Sequence, residues 1–365
     1  MPEKLVKLDI LEKQTFEEDD SFELPPSDII AYNELRSCAD LFRMYNSEIL
    51  DIQPGFQREI VWKNMAQTRF IDSLVKQLPI PSMCFSLDYK TQKWQVIDGL
   101  QRMYTIIRFL KGETWTLAKL DDIDPSISGQ SVSKFVDRNS DLYSYYTRIE
   151  NLTLPITVIR CDYSKSSHAN YLFTIFHRLN KGAMTLTNQE IRNCIFSGPF
   201  NNFLKELDEE RLWLSINKRQ RSSGYRYRGQ EQILRMFAFQ DGYKGYDGRL
   251  AHYLNGYMQE HRRPANEFLE AKKDIFERTL RIIHNSVFEG RSRERPSISV
   301  LEATLVGVSL NLDFLETQPD AKIREMYFNL LREEEFSEER LSEGLSGKTR
   351  VIGRMSTAEK AFSGR

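Results

Sequence analysis

Cysteine is scarce in this chain, and its spacing excludes two classes of cysteine-dependent protein. The 365 residues include 4 cysteines, Cys38, Cys84, Cys161 and Cys194. No two of them form a Cys-x-x-Cys pair, so the pattern indicates neither a zinc ribbon nor a disulfide scaffold. We therefore expect four reduced thiols.

Long apolar runs are also lacking. No run reaches the length that spans a bilayer, and the start, Met1-Pro2-Glu3-Lys4, lacks the basic and then apolar pattern of a signal peptide. We expect a cytoplasmic protein with no membrane partner. The formal net charge is −1, so no global field attracts the chain to nucleic acid, and any contact with DNA must be local.

One short segment carries the residue types of a phosphate site. Trp94-Gln95-Val96-Ile97 predicts a strand, and a helix is predicted from the apolar positions Met103, Ile106, Ile107 and Leu110. Between them lie Asp98, Gly99, Gln101 and Arg102. Asp98 offers hard oxygen ligands for Mg²⁺, Gly99 permits a left-handed turn, and the helix N-terminus favours an anion. Arg102 matches phosphate oxygens, and Gln101 could orient a water. An ordinary tight turn with a surface ion pair is the alternative.

Four motifs together resemble a known family. They are Pro54-Gly55-Phe56-Gln57-Arg58 with Trp62, then Pro79-Ile80-Pro81, then Asp98 to Arg102, and last Asn180-Lys181-Gly182 with Leu186. In this order and spacing they resemble the N-terminal domain of GmrSD-type modification-dependent restriction systems, which has a ParB/sulfiredoxin-like fold. The likeness covers residues 30 to 200. One departure is Leu100, where the family has glutamine, and this puts hydrolytic activity in doubt unless the side chain only packs under the turn.

The resemblance implies a nucleotide-binding, Mg²⁺-dependent NTP-hydrolysing module of a bacterial anti-phage or restriction-modification defence system that acts on or senses DNA. In this hypothesis Arg58 and Arg102 hold phosphates, Asp98 binds metal or water, and Gln57 and Gln101 orient the nucleophile. Lys181 could reach a phosphate, and Asn180 could hold a polar group or form a helix C-cap. The cofactors are thus Mg²⁺ and a nucleoside triphosphate whose base the sequence does not identify.

Two other functions stay open. The first is a metal-dependent DNA nuclease that uses the same segment, and the second is a non-catalytic DNA- or protein-binding module, which Leu100 favours. The five histidines do not form the His-Asn-His-like site of the family's nuclease half, and no Gly-x-x-x-x-Gly-Lys-Ser/Thr loop occurs. A separate nuclease or other defence subunit is therefore a possible partner.

The predicted fold class is α+β, with a small mixed sheet in a ParB/sulfiredoxin-like N-terminal domain and a mainly helical domain after it. We place an acidic flexible lead at 1–29, the first domain at 30–200, the helical domain at 201–343 and a flexible basic tail at 344–365. Within the first domain we expect a helix from Glu34 to Glu48 and a strand from Thr114 to Leu117. A hairpin over 83–97, a strand over 152–159 and a capping box at Thr187 and Glu190 are also predicted.

Basic residues alternate with tyrosines at the joint between the predicted domains. Arginine on phosphate and tyrosine stacked on a base are typical of nucleic-acid grooves, although a solvated linker explains the same composition. The candidate DNA-binding residues are Lys218, Arg219, Arg221, Tyr225, Arg226 and Arg228.

Overall fold

The protein is described by a computed structural model that covers residues 26–52, 62–179, 187–217, 227–290, 296–341 and 344–364. The chain divides into two compact units, Leu24–Ala183 and a second that begins at Met184. The predicted boundary at 200/201 lies later in the chain than this division. The α+β class is confirmed, because a small sheet is followed by mainly helical segments.

A five-stranded mixed sheet organises the first unit. Its spatial order is β1-β5-β3-β4-β2. Strand β1 is antiparallel to β5, β5 is parallel to β3, β3 is antiparallel to β4, and β4 is parallel to β2. The strands are β1 (Ile30–Ser37), β2 (Leu50–Asp51), β3 (Met83–Asp88), β4 (Lys93–Asp98) and β5 (Thr153–Cys161).

Helices of the first unit cover one side of this sheet with apolar side chains. They are α1 (Cys38–Asn46), α2 (Asn64–Val75), α3 (Leu100–Leu110), α4 (Ser133–Val136) and α5 (Tyr143–Asn151), whereas the buried side chains of helix α6 (Ser166–Leu179) lie outside the core that these five helices share with the sheet. The core that they share with the sheet includes Phe85 of β3, Ile156 of β5 and Ile106 of α3, each of them fully buried. The predicted hairpin, the β5 strand and the α3 helix are therefore confirmed.

Two local predictions in this unit are wrong. The segment from Glu34 to Ser37 continues strand β1, and helix α1 begins only at Cys38, where the Ser37 side chain accepts a hydrogen bond from the Asp40 N–H. Pairing with β5 therefore overrides the local helical pattern. Residues 114–117 form no regular strand, and their one bridge joins Thr116 to Ser131.

The described part of the second unit is helical. Its helices are α7 (Asn188–Ile195), α8 (Pro199–Leu207), α9 (Arg211–Asn217), α10 (Arg228–Gly242), α11 (Leu250–Glu260), α12 (Asn266–Ile282), α13 (Ile298–Ser309), α14 (Leu312–Leu315), α15 (Asp320–Leu330) and α16 (Lys348–Phe362). The predicted capping box at the start of α7 is confirmed, with the Glu190 N–H donating to Thr187 Oγ1 and the Thr187 N–H donating to the Glu190 carboxylate. Among the described residues, no helix is long and apolar enough to cross a membrane.

The predicted flexible tail is the clearest error in this unit. Residues Lys348–Phe362 form helix α16, and its fully buried side chains include Met355, Ala358 and Phe362. Arg354 is buried too, and its Nη2 donates to the Leu345 carbonyl at 2.7 Å. This arginine therefore does not offer a surface charge to DNA.

A chain of charged side chains crosses the core of the second unit. Arg235 contacts Glu231 of its own helix and Glu302 of α13, at 2.6 and 3.3 Å, and Arg192 of α7 contacts Glu231 at 3.2 Å. Two arginines and two glutamates thus neutralise each other's charge in a mostly buried cluster. Their ion pairs connect helices α7, α10 and α13. Removing one member would leave a buried charge without its partner.

Candidate functional site

The proposed phosphate segment lies where strand β4 gives way to helix α3. Asp98 ends the strand, Gly99 takes a left-handed conformation with φ +96°, and the helix begins at Leu100. No side chain caps the helix start, and its first intrahelical hydrogen bond runs from the Met103 N–H to the Gly99 carbonyl at 2.9 Å. The preceding amides therefore point out of the helix N-terminus, where an anion is favoured. We call this place the β4–α3 corner.

Arg102 and Asp98 form an ion pair across this corner. Arg102 Nη2 donates to Asp98 Oδ2 at 2.8 Å, and 15% of the arginine side chain and 40% of the aspartate side chain are exposed. Arg102 Nη1 also donates to the Pro81 carbonyl and so ties the Pro79-Ile80-Pro81 segment to the corner. Burial lowers the pKa of the Arg102 guanidinium, even though the adjacent Asp98 carboxylate acts to raise it. The positive charge of Arg102 and the negative charge of Asp98 therefore compensate each other in the protein without a ligand.

Gln101 holds the chain that enters helix α2. Its side-chain oxygen accepts a hydrogen bond from the Trp62 N–H at 3.3 Å, and the Trp62 carbonyl accepts one from Gln67 Nε2 at 3.0 Å. The Trp62 ring meets the Phe70 ring edge-on at 5.5 Å. Gln101 therefore fixes the point at which the segment carrying Phe56-Gln57-Arg58 joins the described part of the unit.

Packing accounts for both Gly99 and Leu100. A Cβ on Gly99 would lie 2.5 Å from Met83 Cγ, so both the positive φ and the close contact require glycine. Leu100 is half-buried and packs against the core of the unit. Leucine at this position is thus explained by the core beneath the turn.

The burial of Cys84 raises the pKa of its thiol to about 12, and the charge of Asp98 acts in the same direction. Cys84 lies directly opposite Asp98 in the sheet. The thiol is therefore neutral at physiological pH and does not act as a thiolate ligand or nucleophile.

The remaining predicted residues are only partly described. Arg228 is half-buried at the first position of α10, after Tyr227 in a left-handed conformation with φ 59°. The other predicted site residues lie outside the described residues: Gln57, Arg58, Asn180, Lys181, Lys218, Arg219, Arg221, Tyr225 and Arg226. Within the described ranges, no group of three or more histidine, cysteine, aspartate or glutamate side chains is arranged to hold a metal ion.

A comparison with known families assigns the segment that carries this corner. Residues 38–197 match the family described as GmrSD restriction endonuclease, N-terminal domain. This part of the chain is similar to that family. The GmrSD-type segment contains strands β2 to β5 and the whole β4–α3 corner. No curated protein and no solved structure matches the chain.

Strand pairing adds polar residues that the sequence reasoning missed. Asn33 of β1 lies beside Thr157 of β5, whose Oγ1 donates to Asn33 Oδ1 at 2.8 Å and lies 3.1 Å from Ser82 Oγ. Ser82 directly precedes β3. The sequence offered no motif for these residues, because only the pairing of β1 with β5 brings Asn33 to this place.

Proposed function

We propose that the β4–α3 corner binds a nucleoside triphosphate together with its Mg²⁺ and hydrolyses it, as the cytoplasmic nucleotide module of a restriction-type defence system. The observation that carries this proposal is the Asp98–Arg102 ion pair at the uncapped N-terminus of α3. A guanidinium and a row of helix N-terminal amides converge there, and both favour phosphate oxygens. The match of residues 38–197 to the N-terminal domain of GmrSD restriction endonucleases supports the restriction context.

Arg102 would exchange its partner Asp98 for the phosphates when the nucleotide binds, and this exchange would free Asp98 for hydrolysis. Phosphate oxygens would replace Asp98 as the partner of Arg102 Nη2, and the released Asp98 carboxylate would accept a proton from the attacking water. The water oxygen would bond to the γ-phosphorus while the bond from that phosphorus to the β–γ bridging oxygen breaks, so that a nucleoside diphosphate and inorganic phosphate leave. Mg²⁺ is expected to use one or two protein carboxylates beside the phosphates, so Asp98 fits a cation that arrives with the nucleotide. When bound, that cation would neutralise phosphate charge.

Gln57 and Arg58 are proposed to complete the site. Arg58 precedes Trp62 by four residues, so chain length alone keeps the two Cα atoms within about 14 Å of each other. Trp62 is in turn bonded to Gln101. In the proposal Arg58 binds phosphate, Gln57 and Gln101 orient the water, and Asn180 and Lys181 contact the nucleotide from the end of α6.

Nucleotide titrations with matched variants test this function. The parent protein is expected to bind at least one of ATP, GTP, CTP and UTP with Mg²⁺ and to release phosphate. Arg102→Ala should weaken binding roughly 10- to 100-fold, since a hydrogen bond to a charged group contributes about 1.5–3 kcal/mol. Asp98→Asn should keep the contact of Arg102 with phosphate, weaken the Mg²⁺ dependence of binding and lose phosphate release.

The control is Arg69→Ala, which breaks an exposed ion pair to Asp122 of 2.9 Å in the same unit. It should bind nucleotide as the parent does. Equal affinity in Arg102→Ala and the parent would rule out the assignment, and a thermal melt of each variant shows that the fold is intact.

A DNA nuclease is the second candidate, because the family description names a restriction endonuclease. Plasmid DNA with Mg²⁺ or Mn²⁺ separates the two functions. Cleavage that Asp98→Asn abolishes favours the nuclease, whereas intact DNA with released phosphate favours the NTPase. Under the NTPase reading, a separate nuclease or other defence subunit would cut the DNA. DNA binding without turnover of either substrate would indicate a non-catalytic module.

A further inference from the structure

Four residues line up across the sheet and lead away from the β4–α3 corner. Asp98 of β4 pairs with Cys84 of β3, Cys84 pairs with Thr157 of β5, and Thr157 pairs with Asn33 of β1. Residues directly opposite each other in a regular ladder point to the same side, as Cys84, Thr157 and Asn33 do, whereas a register shift between Cys84 and Phe85 interrupts the β3–β4 ladder beside Asp98. We call Asp98, Cys84, Thr157 and Asn33 the cross-strand row. Adjacent strands lie about 4.8 Å apart, so the row is roughly 14 Å long.

The row lies on the side of the sheet that faces away from the main apolar core. Met83 and Phe85, which flank Cys84, belong to that core, as do Ile156 and Val158, which flank Thr157. Because side chains alternate along a strand, Cys84 and Thr157 point to the opposite side. Asn33 is exposed and Thr157 is half-buried, so this end of the row is open to a ligand.

Away from Asp98, the polar groups that join the row are uncharged. Thr157 Oγ1 contacts both Asn33 Oδ1 and Ser82 Oγ, at 2.8 and 3.1 Å. The amide nitrogen of Asn33 is left as a donor that no described residue accepts. Hydroxyl and amide groups of this kind recognise sugar hydroxyls and base edges, whereas phosphates prefer arginine, lysine and helix N-termini.

An apolar surface lies beside the far end of the row. Leu35 follows Asn33 by two residues on β1 and therefore points to the same side, opposite Pro155 of β5. Its relative exposure is 69%, the highest of the exposed large hydrophobic side chains in the described residues. An amide next to an exposed apolar side chain suits a nucleobase, which has a polar edge and an apolar face.

We propose that the cross-strand row binds the nucleoside half of the nucleotide. This inference rests on the proposed nucleotide function of the β4–α3 corner. The triphosphate lies at Asp98 and Arg102, the hydroxyls of Ser82 and Thr157 contact the ribose, and Asn33 contacts the base edge while the base packs on Leu35. Asn33 is then the residue that discriminates among bases.

Inorganic triphosphate separates the two halves of the site, because it carries the phosphates without the nucleoside. Asn33→Ala, Thr157→Val and Leu35→Ser are expected to weaken binding of the preferred nucleoside triphosphate about 3- to 10-fold each and to leave triphosphate affinity unchanged. Asn33→Ala should also reduce the preference among ATP, GTP, CTP and UTP. Arg102→Ala should weaken both ligands.

The matched control is Thr153→Val, which lies on the same strand and the same side as Thr157, is exposed, and pairs with Ser37 away from the row. It should bind both ligands as the parent does. Parent-like nucleotide affinity in Asn33→Ala, Thr157→Val and Leu35→Ser would overturn the inference and leave the phosphate site standing. An equal loss of nucleotide and triphosphate binding in these variants would overturn it too. A parent that binds neither ligand would refute the proposed function, and the inference with it.

Discussion

At the scale of single residues, two neighbouring positions of the β4–α3 corner differ in how freely they accept another side chain. Position 100 accepts an apolar residue, whereas position 99 requires glycine. Leu100 packs against the core, so an apolar side chain suits the place where the resemblance predicts glutamine. Gly99 has no such freedom, because its φ is +96° and a Cβ would lie 2.5 Å from Met83 Cγ. Glycine here is a requirement of the backbone and of packing, whatever the corner binds.

We predict that Gly99→Ala lowers the free energy of unfolding by about 2–4 kcal/mol, because backbone strain and overpacking add. Gly129→Ala is the matched control, with φ +72° but a nearest contact of 3.6 Å, to Lys119 Cβ. Gly129→Ala should lower the free energy of unfolding by about 1 kcal/mol, because only backbone strain contributes. Urea denaturation measures both, and equal losses would show that the Met83 contact does not matter.

At the scale of elements, periodic apolar patterns predicted most of the first unit. Helix α3 and strands β3, β4 and β5 are confirmed, because each has the apolar run, alternation or spacing of a buried strand or helix. Strand β1 was missed, and its second half was predicted as helix, because its side chains are mostly exposed and its partner β5 lies far along the chain. Helix α16 was missed because glycine, serine and basic residues masked an apolar face at Val351, Met355, Ala358 and Phe362.

Helix α16 should contribute core stability. We predict that Met355→Ala costs about 2–4 kcal/mol, since the side chain is fully buried. Thr349→Ala, an exposed change in the same helix, should stay within about 0.5 kcal/mol. Chemical denaturation followed by circular dichroism compares the two variants, and a neutral Met355→Ala would mean that the helix does not pack in solution.

At the scale of the whole molecule, the sequence predicted which residues form the corner but not the row beside it. The four family motifs identified Asp98 to Arg102 directly. Thr157 and Asn33 are 124 positions apart and carry no shared motif. Their proximity follows only from strand order and register, which a single sequence does not determine. An ion pair of Arg102 was the alternative to a phosphate site, and the structure shows one with Asp98. The sequence did not identify Asp98 as the partner, because an arginine in the first helical turn has many possible partners.

The near-neutral net charge of the whole chain allows DNA binding to be tested through its salt dependence. The formal net charge is −1, so any affinity must come from local basic residues. If the segment that contains Lys218, Arg219, Arg221, Arg226 and Arg228 binds duplex DNA, affinity should fall steeply with salt. Changing all five to glutamine should reduce the slope of the logarithm of the DNA-binding constant against the logarithm of the salt concentration by about 4–5. This corresponds to nearly one unit of slope for each phosphate contact that is lost. An unchanged slope would place the DNA contact elsewhere.

The pairing of β1 with β5 has a consequence for protein synthesis. The cross-strand row, our proposed nucleoside site, needs Asn33 and Thr157 side by side, and these residues are separated by 124 positions. A ribosome must therefore release most of the first unit before the edge strand can dock. A nascent or truncated chain that ends before β5 could carry every motif of the corner and still be unable to tell one base from another.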